Sequence, residues 1–314
     1  MTQPAIVEWL LEGDPAIRWQ VRRDLLDESE AVVAEERAAV AAEGWGARLL
    51  AEQDRDGTWA GAIYSPKWTS TTYTLLLLRQ LGLAAGHPAA LIGCQRLLDA
   101  ARWFDGGLNL AKSIREPETC ITSIVVSLAA AFGFEDDRID DAMVWLLGQQ
   151  LDDGGWSCET VRCGSRHGSF NTTILALEAI AEWLDARGSS KQLLDARRRG
   201  LQFFVDHRLY CSHRTGVVVA DRYTRLVFPT GWHHDLLRGL DAFVRAGAPA
   251  HPELAGAIAR LQERRRGDGT WAGNRTDPGR QWFVLEPAGR PSRVHTLRAL
   301  RTLRWWERST AMSL

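Results

Sequence analysis

Glu118 and Cys120, the run His233-His234-Asp235, and His295 carry side chains that move protons or hold metals, and each lies at the start of an apolar stretch. A carboxyl such as Glu118 or Asp235, desolvated at the edge of an apolar body, keeps its proton to higher pH and can protonate an alkene or epoxide, with His233 or His234 as its partner. Cys120, His233, His234 and His295, with Glu118 or Asp235, also offer the donors of a zinc site with three protein ligands and an open position. Their spacing is too wide for local assembly, so only the tertiary fold could bring them together. Lys67, Trp68, Thr69, His167, Asn171, Trp232 and Arg293 occupy similar positions and would contact a bound molecule. The π faces of Trp68, Trp232 and Trp282 can stabilise a carbocation. The same residue types also serve structure: histidines cap helices, a cysteine packs as a small hydrophobe, and tryptophans fill cores.

Two further groups invite the same double reading. Cys158, Cys163 and His167 share a glycine-containing loop at metal-like spacing, which equally suits inert thiols. Arg208 and Arg214, beside His207 and His213, can bind a carboxylate or phosphate or simply face solvent.

These residues must be positioned by a repeat. Gln53 to Trp59, Gln150 to Trp156 and Gln262 to Trp271 read alike, each with an Asp-Gly or Gly-Gly turn before the tryptophan, and Trp103 to Gly107 and Ser212 to Gly216 are weaker copies. The turn glycines Gly57, Gly106, Gly154, Gly216 and Gly269 recur roughly every 50 residues, the signature of stacked helical hairpins. Outer helices with an apolar stripe and a charged face are expected near 45–53, 88–100, 137–150, 191–207 and 252–264. More uniformly apolar inner helices are expected near 69–82, 118–133, 170–184, 233–247 and 293–306. Buried inner and solvated outer helices define an all-α fold, an α/α toroid. One continuous domain over 1–314 is expected, with helices before residue 45 capping or completing the ring, five repeats over 45–307, and a tail over 308–314. If the inner helices run one way, their positive N-terminal ends meet at one mouth, where an apolar barrel would open through a polar and aromatic rim.

The 314 residues are 45% hydrophobic and 25% charged, enough apolar content for a large core. A net charge of −1 supplies no field for a phosphate backbone, so no nucleic-acid partner is expected. No apolar run is long enough to span a bilayer. An odd number of cysteines, five, without a secretory leader points to free thiols and a cytoplasmic location.

The Gln-x3-Gly-x-Trp segments at 53–59 and 150–156 resemble the QW repeats of squalene and oxidosqualene cyclases and of protein prenyltransferase β-subunits. At the level of helix pairs the resemblance covers about Trp45 to Trp306, and it is nearest to a group of bacterial squalene-cyclase-like proteins. It implies the toroid fold and a small apolar, isoprenoid-derived substrate in the central cavity, with cyclisation or isomerisation as the reaction. The Asp-x-Asp-Asp segment of triterpene cyclases is absent. Asp136-Asp137-Arg138-Ile139-Asp140 matches the diphosphate-binding pattern of other terpene synthases, although it opens a charged helix as an N-cap would. Prenyltransferases hold zinc through Asp-x-Cys and a later His-Thr; Glu118-Thr119-Cys120 and His295-Thr296 are similar, which implies Glu118, Cys120 and His295 as ligands and zinc-dependent transfer as the alternative reaction. A non-catalytic toroid that binds a lipid or peptide is the third reading.

Overall fold

A computed structural model describes residues 2–311 apart from residue 276. Helices α1 (Gln3–Leu11), α2 (Pro15–Asp24) and α3 (Glu30–Ala42) lead into five pairs of an outer and an inner helix. These are α4 (Gly44–Ala51) with α5 (Thr71–Leu81), α6 (Pro88–Ala100) with α7 (Thr119–Phe132), and α8 (Asp137–Gly148), followed by the short α9 (Glu159–Cys163), with α10 (Phe170–Arg187). Then come α11 (Lys191–Asp206) with α12 (Leu236–Ala246) and α13 (Ala255–Glu263) with α14 (Arg293–Ala311). Two antiparallel pairs of two-residue strands, Arg102–Trp103 with Leu108–Asn109 and Trp271–Ala272 with Pro291–Ser292, tie loops together. The fold is the expected all-α toroid.

Among the described residues the ring has six inner helices. α5, α7, α10, α12 and α14 pack in sequence, and α14 packs on α2. Trp19 of α2 then donates its indole N–H to the Leu81 carbonyl at 2.9 Å, and Arg37 of α3 donates to Gly82 at 2.7 Å, which closes the circle on α5. Ion pairs set a common direction: Arg79 late in α5 meets Glu178 and Glu182 of α10, Arg245 late in α12 meets Glu182 and Asp185, and Arg301 of α14 meets Asp241 and Asp24. α7 is apolar on every face and accordingly buried along almost its whole length. Asp14, Asp136 and Asp235 cap α2, α8 and α12 through side-chain bonds to backbone N–H groups. α14 continues through Ala311, so the first part of the expected tail is helical; 312–314 lie outside the described residues.

The repeated glutamine and tryptophan work as a staple. Each indole N–H donates to a carbonyl of its own outer helix: Trp59 to Leu49 at 2.7 Å, Trp156 to Leu146 at 2.9 Å, Trp271 to Leu261 at 2.8 Å. Each tryptophan backbone N–H is held by a hydroxyl of the following inner helix: Thr71, Thr173 or Thr296. Gln53 and Gln150 each bridge the turn carbonyl and a carbonyl of the next outer helix, Ala89 or Ala196. The rings are fully buried. One motif thus adds indole donors to carbonyls of the last turn of the outer helices and joins neighbouring repeats.

Candidate functional site

The loops before the inner helices gather at the mouth where those helices begin. Here a chain of contacts crosses the ring. At the start of α7, Sγ of Cys120 lies 3.5 Å from Oε2 of Glu118, and Sγ of Cys158, the residue before α9, accepts from the Cys120 N–H at 3.1 Å. The three ligand atoms lie within 4.8 Å of one another, the one group of three such donors among the described residues. Tyr64 neighbours these thiols and packs against Tyr73 with ring centroids 5.6 Å apart. Trp68 meets Tyr73 edge-on at 5.0 Å and reaches His233 at 6.3 Å. Trp232 packs against His233 with the rings tilted by 38° and their centroids 3.8 Å apart, Lys67 sits 4.7 Å above the Trp232 ring, and His233 faces Asp277 at 3.4 Å with Arg222 on its other nitrogen.

Burial shapes the proton affinities of this mouth. It raises the Glu118 carboxyl against the opposing pull of the Cys120 hydrogen bond and Arg162. Cys120's bond to Cys158, together with burial, pushes its own thiol well up, whereas the donors around Cys158 push that thiol down. Burial, with Arg222 and Lys67 nearby, lowers His233 to about 3, so it is a neutral base near pH 7. Polar atoms that are buried without a partner concentrate at this end of the ring. Of eleven among the described residues, seven belong to Thr69, Ser70, Tyr73, Trp232, His234, Asp235 and His295, at or just before the starts of α5, α12 and α14.

The remaining sequence candidates divide. Trp282 donates to Thr74 at 3.0 Å and Thr69 is buried at the start of α5, which puts them at the mouth. Asn171 accepts from the His234 N–H at 2.8 Å. His234 is fully buried among Phe170, Phe204 and Tyr223, gives Nε2 to the Leu209 carbonyl, and is lowered to about 3 by burial. Asp235 caps α12 with one oxygen, leaves the other unpartnered, and is raised to about 6 by burial.

Several expectations need correction. His295 binds the Ala272 carbonyl at 2.9 Å and does not join Glu118 and Cys120; the third donor beside them is Cys158. Cys158, Cys163 and His167 form no such donor group among the described residues: Cys163 is exposed, and His167 is an exposed side chain 4.0 Å from Asp153. Arg293 turns toward α1, bonding the Trp9 carbonyl and covering its ring. Arg208 pairs with Glu253.

The interior of the ring also differs from the expected apolar barrel. Toward the C-terminal ends of the inner helices a cavity of about 780 Å³ is walled by arginines and carboxylates. Phe228 and Thr230 line it while Trp232 and His233 belong to the mouth, so this segment floors the mouth; Arg298 and Arg238 hold it through the carbonyls of Val227, Gly231 and His233. Some of the charged residues interrupt an apolar run, for instance Arg79 after Leu75 to Leu78, and that interruption is a sequence signal; those of α2 and α14 lie among other charges and carry no such mark. Tyr64, Tyr73 and Asp277 gave no such signal, since they come from loops or an apolar face.

No helix of the described residues is long and apolar enough to cross a membrane. No protein-family model and no curated protein matches the sequence. Among solved structures the chain is similar to a protein from Actinoplanes, with 19% identity over 94% of this chain and 90% of that one and a TM-score of 0.46. It is also similar to the type II terpene cyclase MstE from Scytonema, with 16% identity over 99% and 98% of the two chains and a TM-score of 0.48. A variant of that cyclase in complex with merosterolic acid A aligns at 14% identity over 89% and 97%, with a TM-score of 0.33. The reaction therefore has to be read from the site itself.

Proposed function

We propose that the protein is a terpene-cyclase-like enzyme that isomerises or cyclises an apolar, isoprenoid-derived molecule at the mouth where the inner helices begin. The observation that carries this reading is the clustering there of seven buried polar atoms without partners, beside a carboxyl whose proton affinity burial raises. Glu118 delivers a proton to an alkene or epoxide of the substrate. The carbocation so formed lies against the faces of Trp68, Trp232 and Trp282, and neutral His233 takes a proton from a neighbouring carbon once its Nδ1 exchanges the Arg222 hydrogen bond for that proton, so the product has the mass of the substrate. Asp235 and His234 stand behind this surface as a second acid and base. The test is incubation with a panel of linear polyprenyl alcohols and epoxides, followed by gas chromatography with mass detection. New isomers of unchanged mass, lost in Glu118→Gln, support the reading; no conversion by the wild type of any member overturns it.

One observation favours a second reading, zinc-dependent group transfer. Two thiols and a carboxylate fit a zinc ion: at roughly 2.3 Å for sulfur and 2.0 Å for oxygen, tetrahedral ligands lie about 3.5 Å apart, as Cys120 and Glu118 do. Glu118, Cys120 and Cys158 would hold it and leave one position open, and zinc there would present an activated thiolate or polarise an oxygen. About one zinc per chain by elemental analysis, lost in Cys158→Ser, would favour it over proton-initiated chemistry; a metal-free wild type would remove it.

A further inference from the structure

The cavity inside the ring is unlike the mouth in chemistry, and its wall is not charge-balanced. Eight arginines and five carboxylates line it. Every carboxylate is ion-paired: Glu178 with Arg79 and Arg238, Glu182 with Arg79 and Arg245, Asp185 with Arg245, Asp241 with Arg298 and Arg301, Asp24 with Arg301 and Arg23. Arg37 and Arg197 line the same cavity, and neither forms an ion pair with a carboxylate among the described residues. The C-termini of α5, α7, α10 and α12 reach this end and each contributes roughly half a negative charge, which offsets much of the excess on average but screens only their own last turns. Arg37 gives Nε and Nη2 to Gly82 and Leu83 at the end of α5, and its Nη1 has no hydrogen-bond partner among the described residues. Trp19 lies between two guanidiniums, Arg23 at 4.5 Å and Arg37 at 5.1 Å from its ring centroid. Nε of Arg79, a side chain only 8% exposed, is buried without an acceptor. The donors of this cavity are thus in surplus and its carboxylates engaged, while Trp19, Leu81, Leu177 and Leu297 supply apolar wall.

We propose that this cavity binds an organic anion, a carboxylate or phosphate on an apolar body, with its head group at Arg37 beside Trp19 and its body along the apolar wall. This site lies beyond the floor of the mouth and is independent of the reaction proposed there. Burial together with the charges of Arg23 and Arg245 already lowers the proton affinity of Arg37, the condition that an incoming anion relieves.

The test is calorimetric titration of the full-length chain with octanoate, octyl phosphate, inorganic phosphate and octanol. Saturable binding of octanoate or octyl phosphate, with octanol at least about tenfold weaker, is expected, since the alcohol lacks the charge that strengthens a hydrogen bond to the guanidinium. Preference between the two anions tells carboxylate from phosphate, and tighter binding of octyl phosphate than of inorganic phosphate shows that the apolar body is read. Arg37→Gln, which keeps a donor for the α5 carbonyls, should lose about tenfold in affinity at unchanged melting temperature. Octanol binding as tightly as the anions, no binding of either anion, or full affinity in a folded Arg37→Gln would overturn the proposal. If Arg37→Gln fails to fold, the anion-against-octanol comparison in the wild type decides alone.

Discussion

The Cys120 backbone N–H donates to Sγ of Cys158 at 3.1 Å across 38 residues of sequence. The Cys120 thiol is the stronger donor to the same sulfur, and with the Thr172 hydroxyl and that N–H it holds Cys158 below the ordinary thiol range while Cys120 and Cys94 lie above it. Because the thiolate is the nucleophile, iodoacetamide near neutral pH should label Cys158 well before Cys120 or Cys94. Peptide mapping by mass spectrometry reads the order directly, and Cys120 reacting first would contradict the geometry.

Asp235 makes stability depend on pH in a definite direction. Burial raises its carboxyl to about 6 from an ordinary 3.8. A raised carboxyl favours the folded state fully below the unfolded value and loses that contribution as pH rises through the folded one. Its share of wild-type stability should therefore fall between about pH 4 and 7 by as much as about 3 kcal/mol, at about 1.36 kcal/mol per pKa unit. Asp235→Asn keeps a capping oxygen for the Arg238 N–H and should lack this loss. Urea unfolding over a pH series tests it, and a gap between the two proteins that stays constant with pH would rule it out.

Glu178 acts in the opposite sense. Its burial alone would raise the carboxyl, but the guanidiniums of Arg238 and Arg79 hold it far below the ordinary 4.5. The contribution is present above that value and lost as pH falls through the folded one. Glu178→Gln leaves two buried guanidiniums short of a counter-charge and should cost about 3–5 kcal/mol near pH 7. The deficit should narrow in acid. A variant as stable as wild type near neutrality would show that the network rearranges freely.

The tryptophan staple can be weighed one atom group at a time. Trp156→Phe keeps most of the buried ring but removes the indole donor from the Leu146 carbonyl, which retains the Gln149 N–H at 3.2 Å, and should cost about 0.5–1.5 kcal/mol. Trp156→Ala adds a cavity and should cost about 3–5 kcal/mol. Thermal unfolding of both, compared with Trp271→Phe, checks whether the repeats contribute alike; no loss in Trp156→Phe would show that the indole N–H is idle.

The elements and their alternation follow from local rules and so could be read from the residues alone. The inner helices begin and end within a few residues of their expected bounds, since apolar runs flanked by glycine or a capping residue leave little choice. The Gln and Trp positions were legible because one local motif repeats. Which polar groups meet was decided only by ring closure. α2, expected to cap or complete the ring, becomes the sixth inner helix because Trp19 and Arg37 find the end of α5. Cys158 replaces His295 beside Glu118 and Cys120, since adjacent repeats are neighbours while the α14 start lies against its own loop at Ala272. The ion-paired cavity was hidden for a further reason. A lone arginine or glutamate on an apolar helix has no local partner, and its burial becomes tolerable only when six helices, arranged around a common axis, set opposite charges within reach.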